Sequence, residues 1–288
     1  IYAANSLTAP VHRNALQQIG RVVCSDEKDE KEKSGAETAC VVNLLGRREE
    51  RTVSLPITSP HGTQSFRVWD GDRLLSSQYM AERRFADGTK NAGTLMFRAA
   101  LPAFGVKSFR MEPVETEESG CMAWVDGAFA YLETDVYAIR FDLEHGGTID
   151  SLVDKRRQVE LVDRKNERKF NEYGGFFIRE NRFLSNAGQK AEAVVKAEGP
   201  ICAELEFQGA VGPVPFTQTV RVLAKESAIR IQAVFHFPEK TYIGDPHEMT
   251  PENDVQDGHR SYHDGRYKLN AWFPTAFEQA HLDKDAAY

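Results

Sequence analysis

The chain is poor in cysteine and lacks the arrangements in which cysteine does chemistry. Cys24, Cys40, Cys121 and Cys202 are the only four in 288 residues, and no two form a CxxC pair. That spacing argues against a disulfide-stapled scaffold, and isolated buried thiols are expected instead. No apolar run approaches the ~20 residues of a membrane-spanning helix. The start has no basic segment followed by an apolar stretch, and no Asn-x-Ser/Thr sequon occurs. These absences lead to the expectation of a cytoplasmic protein. Positive charge is short as well: 36 Lys and Arg stand against 43 Asp and Glu, a net charge of −7. With no basic stripe interleaved with aromatics, nucleic acid is not expected as a partner, and neither is a membrane.

Hydrophobic residues make up 41% of the chain and charged residues 27%, the balance of a globular protein long enough for two domains. The clearest pattern runs over 132–163. Tyr137, Ile139 and Phe141 alternate with Ala138, Arg140 and Asp142, the period of a half-buried strand. Gly146-Gly147 allows a reversal, Ile149, Leu152 and Val153 begin a second strand, Asp154-Lys155-Arg156 turns the chain, and Val159, Leu161 and Val162 form a third. The stretch is a β-meander.

The same residues carry a family resemblance. Asp142, Gly146-Gly147, Ile149, Ser151-Leu152 and Asp154-Lys155 resemble the "fD..gG.I.SL.DK" segment opening the large β-domain of glycoside hydrolase family 38, the α-mannosidases. Val41-Val42-Asn43-Leu44-Leu45 followed by Arg47 resembles that family's "vfNPL…R" strand, with Leu44 where the proline usually stands. Leu101-Pro102-Ala103-Phe104-Gly105-Val106-Lys107-Ser108-Phe109 resembles the "vPplGyktY" segment that closes its small β-sandwich. The matches keep the family's order and cover roughly 38–163; beyond 164 the likeness is looser. The chain opens with Ile1, which together with the resemblance suggests a fragment of a longer polypeptide.

Along the chain, Leu16, Ile19, Val22 and Val23 recur at helical spacing behind Pro10, so 1–24 reads as the end of a helical region. The resemblance makes this the last helix of a bundle. Residues 25–37 are nearly all charged and read as a solvated linker, with a partner-recruiting tail as the alternative. Residues 38–112 hold short strands near 40–45, 52–57, 66–69, 74–85, 94–100 and 107–111, separated by turn signals, which predicts a small antiparallel β-sandwich. An acidic linker at 113–120 follows. Residues 121–288 predict a larger two-sheet domain with strands near 175–179, 191–197, 201–208, 216–223, 229–237 and 269–273, with Glu198-Gly199-Pro200 and 209–215 as connections. The resemblance implies a galactose-mutarotase-like supersandwich, incomplete at its C-terminal end. The expected fold class is therefore mainly β. Trp69, Trp124 and Trp272 lie in strand-like runs and are expected in the core.

Candidate site residues concentrate in the polar segment 238–268, since a long loop within a domain is often functional. Tyr242, Arg260, Tyr262, Arg266 and Tyr267 are the residue types that grip sugars, by aromatic faces and planar hydrogen-bonding groups. His259 and His263, four apart, are weak metal-ligand candidates, but glycines flank them and the HExxH glutamate is missing. Surface histidines are the plainer reading, and His247-Glu248 could join either arrangement. Retaining glycosidases need two carboxyl groups roughly 5–5.5 Å apart. The resemblance adds a zinc held by a barrel that precedes the matched region, and nothing here matches those motifs. No catalytic residue is therefore expected in the chain, and none of its residues is expected to hold the zinc.

Three functions follow. The first is the non-catalytic β-region of an α-mannosidase-like glycosidase, supporting the barrel, lending loops to a mannoside site and self-associating through truncated surfaces. The second is a stand-alone carbohydrate-binding module. The third is a mutarotase-type isomerase, which needs a histidine acid and a carboxylate base in one cleft, with His145, His236 and His259 available.

Overall fold

The computed structural model describes residues 37–244 and 267–277, together with Asn14 and Gln18, both in helical conformation. The described chain is nearly all β, arranged as antiparallel sheets. It divides into two compact units between Ser119 and Gly120, with Gly199–Ile201 belonging to the first.

The first unit contains seven strands: β1 (Glu37–Val42), β2 (Glu49–Thr58), β3 (Ser65–Asp70), β4 (Arg73–Leu75), β5 (Ser77–Arg84), β6 (Lys90–Leu101) and β7 (Val106–Val114). They make a four-stranded sheet in the order β1-β7-β3-β4 and a three-stranded sheet in the order β2-β6-β5. Alternation in β6 turns Leu95, Phe97, Ala99 and Leu101 inward, against Phe66, Val68, Phe109 and Met111 from the other sheet. Phe97 and Phe109 meet at 5.0 Å between ring centroids. Two antiparallel sheets sharing one apolar interior make a β-sandwich. Two of the resembling segments close it together. Asn43 Nδ2 donates to the carbonyls of Arg47 (3.0 Å) and Pro102 (2.8 Å), its Oδ1 accepts from the Leu45 N–H, and its own N–H donates to the Gly105 carbonyl. The amide is buried and every part of it is bonded, which fixes the crossing of the two segments.

The second unit begins with β8 (Met122–Asp126), β9 (Phe129–Glu133), β10 (Tyr137–Asp142), β11 (Thr148–Asp154) and β12 (Val159–Glu160), a five-stranded meander in the order β12-β11-β10-β9-β8. Then come β13 (Glu172–Phe177), β14 (Arg182–Ser185), β15 (Glu192–Ala197), β16 (Cys202–Val211), β17 (Val214–Leu223), β18 (Ile229–Phe235) and β19 (Asn270–Trp272). These form a four-stranded sheet, β15-β16-β17-β18, and a three-stranded one, β14-β13-β19. The long β16–β17 hairpin serves two cores. Ala203, Leu205, Phe207, Val220 and Val222 pack on the inner face of the meander, with Phe141 4.8 Å from Phe207. Toward the hairpin tip, Val211, Val214 and Phe216 pack on Tyr173 and Phe177 of β13.

Each residue of the third resembling segment has a structural task. Asp142 caps the first turn by accepting from the N–H groups of Glu144 and His145. Gly146 and Gly147 both adopt φ +69°, which a side chain resists. A Cβ on Gly146 would lie 2.2 Å from the Asn186 carbonyl oxygen, and one on Gly147 2.9 Å from the Phe207 ring. Ile149 and Leu152 are buried. Ser151 donates to Glu160, Asp154 caps the next turn at Arg156 and Arg157, and Lys155 bonds Glu133 and the Thr134 carbonyl.

The structure departs from the sequence reading in particular places. β9 and β14 have no counterpart in the sequence reading, while the strand-like run around Trp124 is β8. The expected connection at 209–215 is mostly strand, with only Gly212-Pro213 between β16 and β17. β7 continues through Val114. None of the three tryptophans lies in a buried core: Trp69 and Trp272 are half-buried and Trp124 is 38% exposed. Among the described cysteines, Cys121 and Cys202 are buried and Cys40 is half-buried, all as free thiols. Burial, reinforced by the nearby Asp135 charge, pushes the Cys121 thiol up to about 11, so it stays protonated and inert.

Candidate functional site

Of the residues predicted to touch sugar, Tyr242 and Tyr267 are described; Arg260, Tyr262 and Arg266 lie outside the described residues. So do the metal candidates His259 and His263, and His247-Glu248. The structure brings Tyr242 and Tyr267 together at the base of their segment, along one edge of β13. The Phe176 N–H donates to the Tyr267 carbonyl (3.0 Å), the Ile178 N–H to the Tyr242 carbonyl (3.0 Å), and the Gly244 N–H returns to the Phe176 carbonyl (3.1 Å). Phe177 and Ile243 form an isolated bridge, and β19 continues the edge by pairing Asn270 with Gly174 and Trp272 with Glu172. Gly244 and Tyr267 therefore both stand on a backbone platform tied to β13.

Glycine in β13 makes this approach feasible. A Cβ on Gly175 would lie 2.8 Å from the Lys268 carbonyl oxygen and 2.9 Å from Ile243 Cγ2. Interior strand glycine marks such close passage of another segment. The tyrosine rings are held by their surroundings: Tyr267 meets Phe176 edge-on at 5.7 Å, and the Arg179 guanidinium lies 4.8 Å from the Tyr242 ring centroid. Arg179 is exposed and adds a planar donor group beside an aromatic face. Sequence reasoning missed it because it stands on the β13 side of the platform, remote in sequence from the polar segment.

A rigid cluster adjoins the platform. The Arg168 guanidinium sits 4.1 Å from the Phe183 ring centroid and 4.8 Å from that of Trp272. Its Nη1 donates to Glu172 Oε1 at 3.1 Å, while Glu172 Oε2 accepts from the Lys169 N–H. These groups satisfy one another and brace the point where β19 joins β13.

The histidines weighed for proton transfer are separately placed. His145 is committed to Asp142, Nδ1 to Oδ2 at 2.7 Å. His236 lines an open cleft of about 470 Å³ with Lys190, Glu192 and Phe216. A histidine and a carboxylate thus share one opening, though no hydrogen bond joins them. His259 lies outside the described residues. Among the described residues, no group of three or more His, Cys, Asp or Glu side chains could hold a metal ion. No described helix is long and apolar enough to cross a membrane.

No protein-family model and no curated protein matches the chain. Solved structures do resemble it. A glycosyl hydrolase family 38 protein from Enterococcus faecalis superposes with a TM-score of 0.46 at 13% identity, over 69% of this chain and 31% of that one. An α-mannosidase from Enterococcus faecalis V583 gives a TM-score of 0.46 at 13% identity, over 77% of this chain and 34% of that one. The chain spans about a third of the length of each.

Proposed function

We propose that this chain is the β-region of an α-mannosidase-like glycoside hydrolase, which supports a catalytic domain and presents the 245–266 segment to its sugar site. The observation that carries the reading is how the resembling segments are used. Asn43 binds the first to the second of them in chain order, and Asp142 through Lys155 form the turns and salt links of one hairpin. The resembling residues hold structure, which is the role expected of a region that buttresses chemistry done elsewhere. The platform on β13 contributes positioning: Tyr242, Tyr267 and Arg179 stand at the root of the presented segment.

In this reading the substrate is a mannoside-type carbohydrate, the nucleophile and the zinc belong to an upstream domain, and the 288 residues alone do not hydrolyse glycosides. The test compares hydrolysis of 4-nitrophenyl α-mannoside by this chain and by the native polypeptide that contains it. Activity in the longer polypeptide alone, with a raised KM in Tyr242→Ala or Tyr267→Ala, supports the proposal. A native polypeptide that binds mannosides without cleaving them would instead make the chain a carbohydrate-binding module.

A further inference from the structure

The outer face of the five-stranded meander carries a feature unconnected with the 245–266 segment. Trp124, Tyr131, Arg140 and Ser151 lie opposite one another on four successive strands, a single row across the sheet. Outward positions on a half-buried antiparallel sheet are ordinarily polar. Here two are large aromatics, stacked 4.8 Å apart with ring planes 8° from parallel. Beside them the face dips. Ala138 is the small residue of its neighbourhood, and over it opens a recess of about 240 Å³ lined by Trp124, Tyr131, Glu133, Arg140 and Ser151. That volume lies below the ~300–1,000 Å³ of drug-sized ligand sites, and it suits one small ring.

We propose that this recess is a second binding site, and that its ligand is a neutral pyranose. Charge decides the ligand's class. The Arg140 guanidinium is paired with Asp150, through Nε at 2.9 Å and also through Nη2. The Glu133 carboxylate is paired through Oε1 with Lys155 at 2.8 Å. Neither charge is left uncompensated for an ionic ligand. What remains open among the described residues is hydrogen-bonding capacity: Arg140 Nη1, Glu133 Oε2 and the Tyr131 hydroxyl. Donors and acceptors of both kinds, set against an aromatic wall, match a ring of hydroxyls that also has an apolar C–H side. The groups are fixed beforehand, since Arg140 also rests 5.2 Å from the Phe129 ring centroid and Trp124 and Tyr131 hold each other. Binding therefore orders few side chains.

The site goes beyond the glycosidase reading and stands or falls separately from it. The full 288-residue chain is titrated with methyl α-mannoside, methyl β-galactoside, methyl β-glucoside and their disaccharides up to about 50 mM, followed by tryptophan fluorescence and by NMR of the sugar. At least one pyranoside should give saturable binding in the ~1 mM range. Trp124→Ala and the recess-filling Ala138→Ile should each weaken it about tenfold or more, while Gly188→Ala, where a Cβ meets nothing within 4 Å, leaves it unchanged. Circular dichroism confirms that each variant is folded, and two variants of opposite size guard against loss through misfolding. No saturable binding across the panel overturns the proposal. So does binding that both recess variants retain, or binding that only Tyr242→Ala abolishes. Mannoside hydrolysis by the native polypeptide is read in the same Ala138→Ile background; its persistence when recess binding is lost separates this site from the catalytic one.

Discussion

The side-chain amide of Asn186 donates to the carbonyl of Gly146 at 3.0 Å, across 40 residues of chain, while its Oδ1 accepts from the Tyr173 N–H at 2.8 Å. One buried asparagine thus ties the turn between β10 and β11 to the start of β13, the strand bonded to Tyr242 and Tyr267. Asn186→Ala strands a buried carbonyl and a buried N–H, each costing about 1–3 kcal/mol. Gly146→Ala adds left-handed strain of about 1–2 kcal/mol to its collision with Asn186. Both should lower the urea midpoint clearly. Gly188→Ala, where a Cβ meets nothing within 4 Å, should stay within about 0.5 kcal/mol of the parent.

Asn43→Asp tests the crossing of the first and second resembling segments. Asparagine donates there to two carbonyls, and a carboxylate can only accept. At neutral pH the substitution should cost about 2–4 kcal/mol. The folded state disfavours the charged form, so the carboxyl introduced has a raised folded pKa. Part of the loss should then be recovered as pH falls and a proton restores one donor. Urea melts at neutral and acidic pH check this; an equal cost at both would contradict it.

Glu160 predicts an acid-sensitive link. Burial raises its pKa, but hydrogen bonds from the Ser151 hydroxyl and the Leu152 and Val162 N–H groups, with the Arg164 charge, outweigh burial and leave it lowered. A lowered folded pKa gives stability that is fully present above the ordinary glutamate range and is lost as pH falls through the folded value. The group is partly exposed, so screening holds its contribution to about 1 kcal/mol. Glu160→Gln should be less stable by that amount at neutral pH, and the gap to the parent should close in acid. A gap independent of pH would contradict the assignment.

Gly175→Ala probes the platform under Tyr242 and Tyr267. The added Cβ would push on the Lys268 carbonyl and Ile243, so one or both chain ends must shift. A core-type overpacking cost of about 1–3 kcal/mol is expected. Quenching of added tyrosine-directed fluorescence probes, or a raised KM in the native polypeptide, should report displacement of the segment. Unchanged stability would show that the passage is looser than described.

How much of this was legible in the sequence depended on which way large side chains faced. In β16, β17 and β18 the long alternation of Leu205, Phe207, Val220, Val222, Ile229 and Ile231 announced strands, because bulk faced the core. In β8 and β9 the rule is inverted: small Ala123 and Ala130 face inward, and Trp124 and Tyr131 face out. Periodicity that equates bulk with burial misses β9 and turns Trp124 of β8 into the core. The glycines and prolines of 209–215 signal a loop locally, but pairing of Ala210 with Pro215 and Val211 with Val214 carries the hairpin through them. For the candidate site, sequence supplied Tyr242 and Tyr267 by residue type. It could not supply Arg179, which meets Tyr242 from a distant segment, or the recess over Ala138, which depends on the exact register of four neighbouring strands.

The most direct measurement is the mass and activity of the polypeptide in its source cells, captured with an antibody against this chain. The account predicts a band well above 32.4 kDa that hydrolyses 4-nitrophenyl α-mannoside. A band at 32.4 kDa without hydrolysis would contradict it.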